Sequence, residues 1–179
     1  SPFAGQKGTI LAPQPAMETS SHIEDAPLDP IAPEVTKNPL LKNIPNAIIR
    51  RAWFTMAHLV LAKGSNVLDI RCQTGIITYT MAVLNPEIDF IGIDRDVKLV
   101  EKAKRKYNLP NLKFVGGEIE ENFLPKGTVD AIVNSFTLHE IYSENNCSEK
   151  SVMHSLERQF ELLKEDGYVF IQGHFMSPE

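Results

Sequence analysis

Three acids and a histidine stand where they could handle a polar ligand. Asp69 falls in the β-rich run Val67-Leu68-Asp69-Ile70 and precedes the tight loop Arg71-Cys72-Gln73-Thr74-Gly75. Asp94 ends a second apolar run, Phe90-Ile91-Gly92-Ile93, about 20 residues past that loop. A carboxylate at that place can accept hydrogen bonds from both hydroxyls of a ribose. Asp96 is already suited to cap the following helix, which leaves Asp94 for the ligand. Glu118 follows Gly116-Gly117 after a third apolar run, and His139 lies in the stretch Asp130 to Tyr142. A histidine titrates near working pH and can serve as a general base. Cys72, inside the first loop, is expected to pack rather than to attack.

These residues need a scaffold that brings strand ends together. Strands are expected over Asn66 to Ile70, Asp89 to Ile93, Leu112 to Val115, Val129 to Phe136 and Tyr168 to Phe175. Helices are expected over Ile76 to Leu84, Asp96 to Tyr107 and Ser148 to Leu163, with a weak turn at Ile119 to Phe123. Ahead of them, Ile48, Ile49, Ala52, Met56, Leu59 and Val60 recur at helical spacing from Pro45 until Gly64, with Trp53 expected to pack. Asn85-Pro86 and Asn108 to Pro110 are natural helix stops. Strands alternating with helices imply right-handed crossovers and a parallel sheet buried on both faces. Its ligand belongs beyond the carboxyl ends of the strands, where their order reverses. Residues 1–44 form a Pro-rich arm or linker, since eight of the 12 prolines fall at or before Pro45. Residues 45–179 form the folded domain.

The first loop resembles that of class I S-adenosylmethionine (SAM) dependent methyltransferases. Their pattern is hydrophobic-hydrophobic-acid-hydrophobic-Gly-x-Gly-x-Gly, and the acid and last glycine stand here as Asp69 and Gly75. Arg71 and Gln73 occupy the places of the first two glycines. The resemblance covers Pro45 to Phe175 and implies a Rossmann-like α/β fold of strand order 3-2-1-4-5 with helices on both faces. The family's final antiparallel hairpin is expected to be absent and the domain incomplete at its C-terminus, because only Met176 to Glu179 follow the fifth strand. The resemblance also implies that Asp69, Gly75 and Asp94 hold the cofactor, with Arg71 and Gln73 lining the same loop beside it. Glu118 would meet the adenine amino group and Ile119 would pack on the ring. Asp130 to Tyr142 is similar to the fourth-strand motif of small-molecule methyltransferases, which places Asn134 and Ser135 before the transferring methyl and makes His139 the candidate base. Backbone must approach the ligand closely at the loop, so Arg71 and Gln73 are expected to weaken or block SAM binding.

Other chemistries lack their motifs. No Gly-x-Gly-x-x-Gly lies within residues 67 to 80, which argues against a nicotinamide dehydrogenase. Neither Gly-x-Ser-x-Gly nor a phosphate loop with its lysine occurs, against hydrolase and kinase readings. His22, His58, His139, His154 and His174 have no metal-ligand spacing, nor do Cys72 and Cys147. A net charge of −5 argues against a nucleic-acid partner. The basic cluster Lys102 to Lys106 reads as a solvated helix end. No apolar run approaches the 18 residues of a membrane span, and a reduced cytoplasmic setting is expected. A chain that starts at Ser1 rather than Met is expected to be processed or cut from a longer one.

Two functions follow: a SAM-dependent methyltransferase acting on a small molecule, or a module of that fold that has lost catalysis and serves in binding or scaffolding. In either case the fifth strand leaves an open edge that a homodimer or larger assembly would cover.

Overall fold

Strand β1 (Asn66–Ile70) runs through the middle of the sheet, its residues from Val67 to Ile70 all buried. Val67 packs into one core layer and Leu68 into the other, both wholly buried. The computed structural model describes residues 37–121, 124–135, 137–146 and 148–173. Around β1 lie β2 (Asp89–Asp94), β3 (Leu112–Gly116), β4 (Val129–Ser135) and β5 (Leu163–Gln172). All neighbouring pairs are parallel and the order is β3-β2-β1-β4-β5. The order reverses between β1 and β4, so the strand ends there open onto a crevice.

Helices cover both faces. On one face α1 (Asn46–Ala57), α2 (Ile76–Leu84) and α3 (Val97–Lys106) bury Ile49, Ala52, Met81, Val100 and Ala103 against the sheet. On the other, α5 (Glu149–Leu162) brings Leu162 onto Ile70, Ile93 and Ile132. Between β4 and α5 runs a short helix, α4 (Thr137–Glu144). Asp96 caps α3, accepting from the backbone N–H of Lys98 and Leu99 at 2.9 and 3.2 Å, and Ser148 caps α5. The three basic residues Lys104, Arg105 and Lys106 do lie in the last turn of α3, where they offset the helix dipole.

Four expectations need correction. Helix α1 stops at Ala57 rather than running on toward Gly64. The His58 ring donates from Nδ1 to the Phe54 carbonyl at 2.7 Å and so satisfies one of the last carbonyls. Trp53 on this helix is 45% exposed rather than packed. Strand β5 begins at Leu163, five residues early, because the ladder contains an irregularity: Val129 pairs with Leu163 but Ala131 pairs with Tyr168. Within that bulge Lys164 turns back to the Asp130 carboxylate at 2.8 and 2.9 Å. Helix α4 was not expected at all. The ends proposed for β4 at Phe136, for β5 at Phe175 and for the weak turn at Phe123 lie outside the described residues.

Most of the proline-rich arm also lies outside the described residues. Its end does not: a 3-10 turn at Pro39–Leu41 buries Leu41, and the Tyr79 hydroxyl of α2 donates to the Leu40 carbonyl at 3.0 Å. Among the described residues the sheet ends with β5, whose Ile171 is 51% exposed. None of their helices is long and apolar enough to cross a membrane.

Candidate functional site

The loop from β1 to α2 keeps the glycine conformation even where it lacks glycine. Arg71, Gln73 and Gly75 have φ of 57°, 51° and 72°, all in the left-handed region. For a residue with a side chain that region costs about 1–2 kcal/mol. Neighbours must therefore over-determine the loop, and three backbone bonds do so. Cys72 N–H donates to Ile93 O at 3.0 Å, Gly75 N–H to Cys72 O at 2.8 Å, and Gln73 N–H to Asp94 Oδ2 at 2.7 Å.

Asp94 is thus the keystone of the loop as well as its candidate ligand group. Its other oxygen accepts from Asp96 N–H at 2.9 Å, and the residue is 6% exposed. Each carboxylate oxygen has one donor and room for a second. Asp69 lies behind the loop, 4% exposed, accepting the Thr78 hydroxyl at 2.6 Å. That bond ties β1 to α2. Burial pushes its carboxyl up to about 6, against the Thr78 hydrogen bond and the Arg51 charge, with the Asp94 charge adding to the rise. Cys72 is buried too, and burial with the charges of Asp69 and Asp94 raises its thiol far out of nucleophilic range.

The raised Asp69 carboxyl makes a pH prediction. A folded-state value of about 6 against 3.8 means that the fold favours the protonated form. The stabilisation is complete below pH 3.8 and is lost as pH rises through about 6, a span worth about 3 kcal/mol. Asp69→Asn keeps an acceptor for Thr78 without the buried charge. Its melting temperature relative to the parent should climb between about pH 4 and about pH 6 and level off above, as read by circular dichroism. A constant difference across that range would refute the account of Asp69.

In front of the loop stands a cluster of charge. Arg71, only 11% exposed at its side chain, reaches Glu144 of α4 at 3.0 Å, Glu118 at 3.7 Å and Glu140 at 4.0 Å. Arg95, next to Asp94, pairs with the same Glu144 carboxylate and comes within 4.0 Å of Glu118. Burial raises the Glu118 carboxyl, opposed first by the charge of Arg71. Two cavities flank this cluster. One, of about 450 Å³, is bounded by Gln73, Asp94, Asp96 and Leu99; the other, of about 420 Å³, by Glu118, Ile141, Lys150 and His154. Arg71, Arg95 and Glu144 line both. A slot between Ile70, Ile93, Gly117 and Ile119 has about 10 Å³, room for about one water.

The structure therefore brings Arg71, Gln73, Gly75, Asp94 and Glu118 to one sheet edge, with Asp69 behind them. Ile119 sits at the closed slot and is buried in the second core layer. Asn134 is wholly buried and its amide donates to Gln159 of α5 at 3.1 Å, so it faces that helix. Ile132 and Asn134 share one face of β4, as alternate strand residues must. Ser135, expected beside it, has a buried hydroxyl. His139 belongs to α4, and its side chain lies outside the described parts of that helix. Sequence reasoning missed Arg95, Glu140 and Glu144. Glu140 and Glu144 are spaced i, i+4, which puts both on one helix face, and that signal was available once α4 was recognised.

A family profile described as a methyltransferase domain matches residues 61–177. The chain is 20% identical over 97 residues to the ribosomal RNA small subunit methyltransferase G of Legionella pneumophila, covering 52% of this chain and 46% of that protein. It is 31% identical over 75 residues to the tRNA (guanine-N(7)-)-methyltransferase of Bacillus cytotoxicus, covering 39% and 35%. It thus spans less than half the length of either. Among solved structures, a SAM dependent methyltransferase from Aquifex aeolicus shares the fold with a TM-score of 0.56 at 22% identity, over 85% of this chain and 79% of that one.

Proposed function

The chain belongs to the methyltransferase-domain family, and from that premise we propose that its cleft holds SAM and that the methyl acceptor is a small molecule. One observation carries the reading: the Asp94 carboxylate ends β2 at the wall of a cavity of about 450 Å³ and retains spare lone pairs toward it. The cavity falls within the range of small-ligand sites, about 300–1,000 Å³. Asp94 would accept the ribose hydroxyls, and the backbone of residues 71–75 would lie along the methionine part. Glu118 would reach the adenine amino group. When bound, the cofactor supplies an electrophilic methyl group. The chain contributes alignment and exclusion of water, which for methyl transfer is most of the catalysis. His139, on a helix that borders both cavities, would accept the proton leaving the acceptor.

The small-molecule acceptor rests on the net charge of −5, because a phosphate backbone calls for a basic face. Two relatives carry RNA methyltransferase names, so the test includes both classes. Transfer of tritiated methyl from SAM is measured into a small-molecule panel and into ribosomal and transfer RNA. Label is expected among the small molecules. Label in RNA alone would overturn the acceptor class while keeping the cofactor.

A scaffolding role without catalysis has its own support in the 10 Å³ slot and in the side chains at positions 71 and 73. The double change Arg71→Gly with Gln73→Gly relieves two left-handed residues and clears the cleft. SAM affinity should then rise, by about tenfold for each 1.4 kcal/mol of clash with the bound cofactor that is removed, whereas the relieved backbone strain adds to stability. An unchanged or weaker affinity in calorimetry would show that the loop is not what limits binding.

The outer edge of β5 is proposed to pair with a second copy or another subunit. Among the described residues no strand pairs beyond β5, and Ile171 is exposed there, which invites strand addition. Light scattering on the order of tens of micromolar should report more than one chain per particle, as edge pairing requires. A stable monomer at that concentration contradicts it.

A further inference from the structure

The two large cavities at the sheet edge are halves of one cleft, parted by a single set of ion pairs. Asp94 bounds one half and Glu118 the other, while Arg71, Arg95 and Glu144 stand between them. An elongated ligand, with a nucleoside at one end and an amino acid at the other, needs both halves at once. Its path crosses the Glu144 carboxylate, which accepts from Arg71 Nη1 at 3.0 and 3.3 Å and also from Arg95.

The element carrying Glu144 is lightly held. Helix α4 has eight residues, too few to persist alone in water. Among its described side chains only Thr137 and Ile141 are buried. Thr137 at its start bonds to the carbonyls of Ile70 and Ser135 at 3.4 and 3.3 Å. Its far end passes through Asn145 into Asn146, whose φ of 54° is left-handed. Beyond its packing against α5 and β4, its described side chains add the ion pairs of Glu140 and Glu144 with the two arginines. Burial raises the Glu144 carboxyl, but the hydrogen bonds and charges of Arg71 and Arg95 outweigh it and keep the group ionised.

We propose that α4 is a strap across the cleft, and that SAM enters only when Glu144 releases Arg71 and Arg95. The proposal rests on the cofactor reading above and adds to it the residue that controls access. Glu144 is a gating residue and takes no part in methyl transfer. Opening the strap joins the two cavities and frees both guanidinium groups. The cost of opening is drawn from SAM affinity, because a site that is mostly closed binds more weakly by the fraction of time it is open.

The test uses the full chain and the variants Glu144→Gln and Arg95→Gln, with Lys63→Gln as a control at an exposed ion pair with Glu87, away from the cleft. Two quantities are measured: amide hydrogen exchange of residues 137–144 without ligand, and SAM affinity by calorimetry. Losing one or two such pairs should speed exchange in α4, and raise SAM affinity, by about three- to tenfold in both cleft variants. Exchange in α5 and the behaviour of Lys63→Gln should match the parent. Unchanged α4 exchange in both cleft variants overturns the strap, whatever SAM does. So does SAM affinity that is equal or weaker in both variants than in a parent that binds. If α4 loosens and no protein binds SAM, the cofactor reading itself fails, and with it the strap's role as an entrance.

Discussion

Asp94→Ala is expected to weaken SAM binding by about ten- to 150-fold, the equivalent of about 1.5–3 kcal/mol for a charge-assisted hydrogen-bond partner. Two losses combine. The ribose hydroxyls lose their acceptor, and the backbone N–H groups of Gln73 and Asp96 lose theirs. The second loss frees Gln73 to leave its left-handed conformation, which nothing else on the loop compels as directly. Asp94→Asn should fall between alanine and the parent, because the carboxamide offers one acceptor oxygen instead of two. Calorimetry on variants shown to be folded by circular dichroism reads the effect. Equal SAM affinity in the parent and in Asp94→Ala would remove Asp94 from the site.

Gly75→Ala should carry the largest stability loss of any single substitution at this edge. Gly75 begins α2 at φ 72°, where an added Cβ would stand 2.6 Å from Cε1 and Cζ of Phe114 and 3.0 Å from Cβ of Ala103. Phe114 is buried in the core layer between β3 and α3, so its ring can yield only by displacing packed neighbours. The left-handed backbone adds about 1–2 kcal/mol of strain and the overpacking about 1–3 kcal/mol more. Urea denaturation should show a midpoint shifted down by that sum divided by the slope, with the slope unchanged. A loss below about 1 kcal/mol would mean that Phe114 can move aside, in conflict with its packing. The same contacts explain why glycine survives at 75 while positions 71 and 73 hold an arginine and a glutamine. Position 75 faces the core, whereas the Arg71 and Gln73 side chains project toward the cleft, where there is space for them.

How far the chain could be read in advance depended on which force decided each element. Strand β1 and helix α2 match their expected bounds to the residue, because hydrophobic period and flanking turn residues agree there. The strand order followed from the alternation of strands with helices and the resemblance together. The start of β5 did not, because Lys164-Glu165-Asp166-Gly167 reads as a turn and only the Lys164–Asp130 pairing reveals it as a bulge inside the ladder. Asp94 could be placed from its position at a strand end. The partner of Asn134, Gln159 of α5, could not be foreseen, since alternation says which residues share a face but not what covers that face. The Arg71, Arg95 and Glu144 cluster joins residues up to 73 apart in sequence, and no local pattern announces such a meeting.

Titration calorimetry with SAM and with S-adenosylhomocysteine, on the full chain, tests the central claim most directly. Saturable one-to-one binding of both, weakened in Asp94→Ala, is the expected result. Folded protein that gives no saturable heat with either ligand, and none after Arg71→Gly with Gln73→Gly, would contradict it.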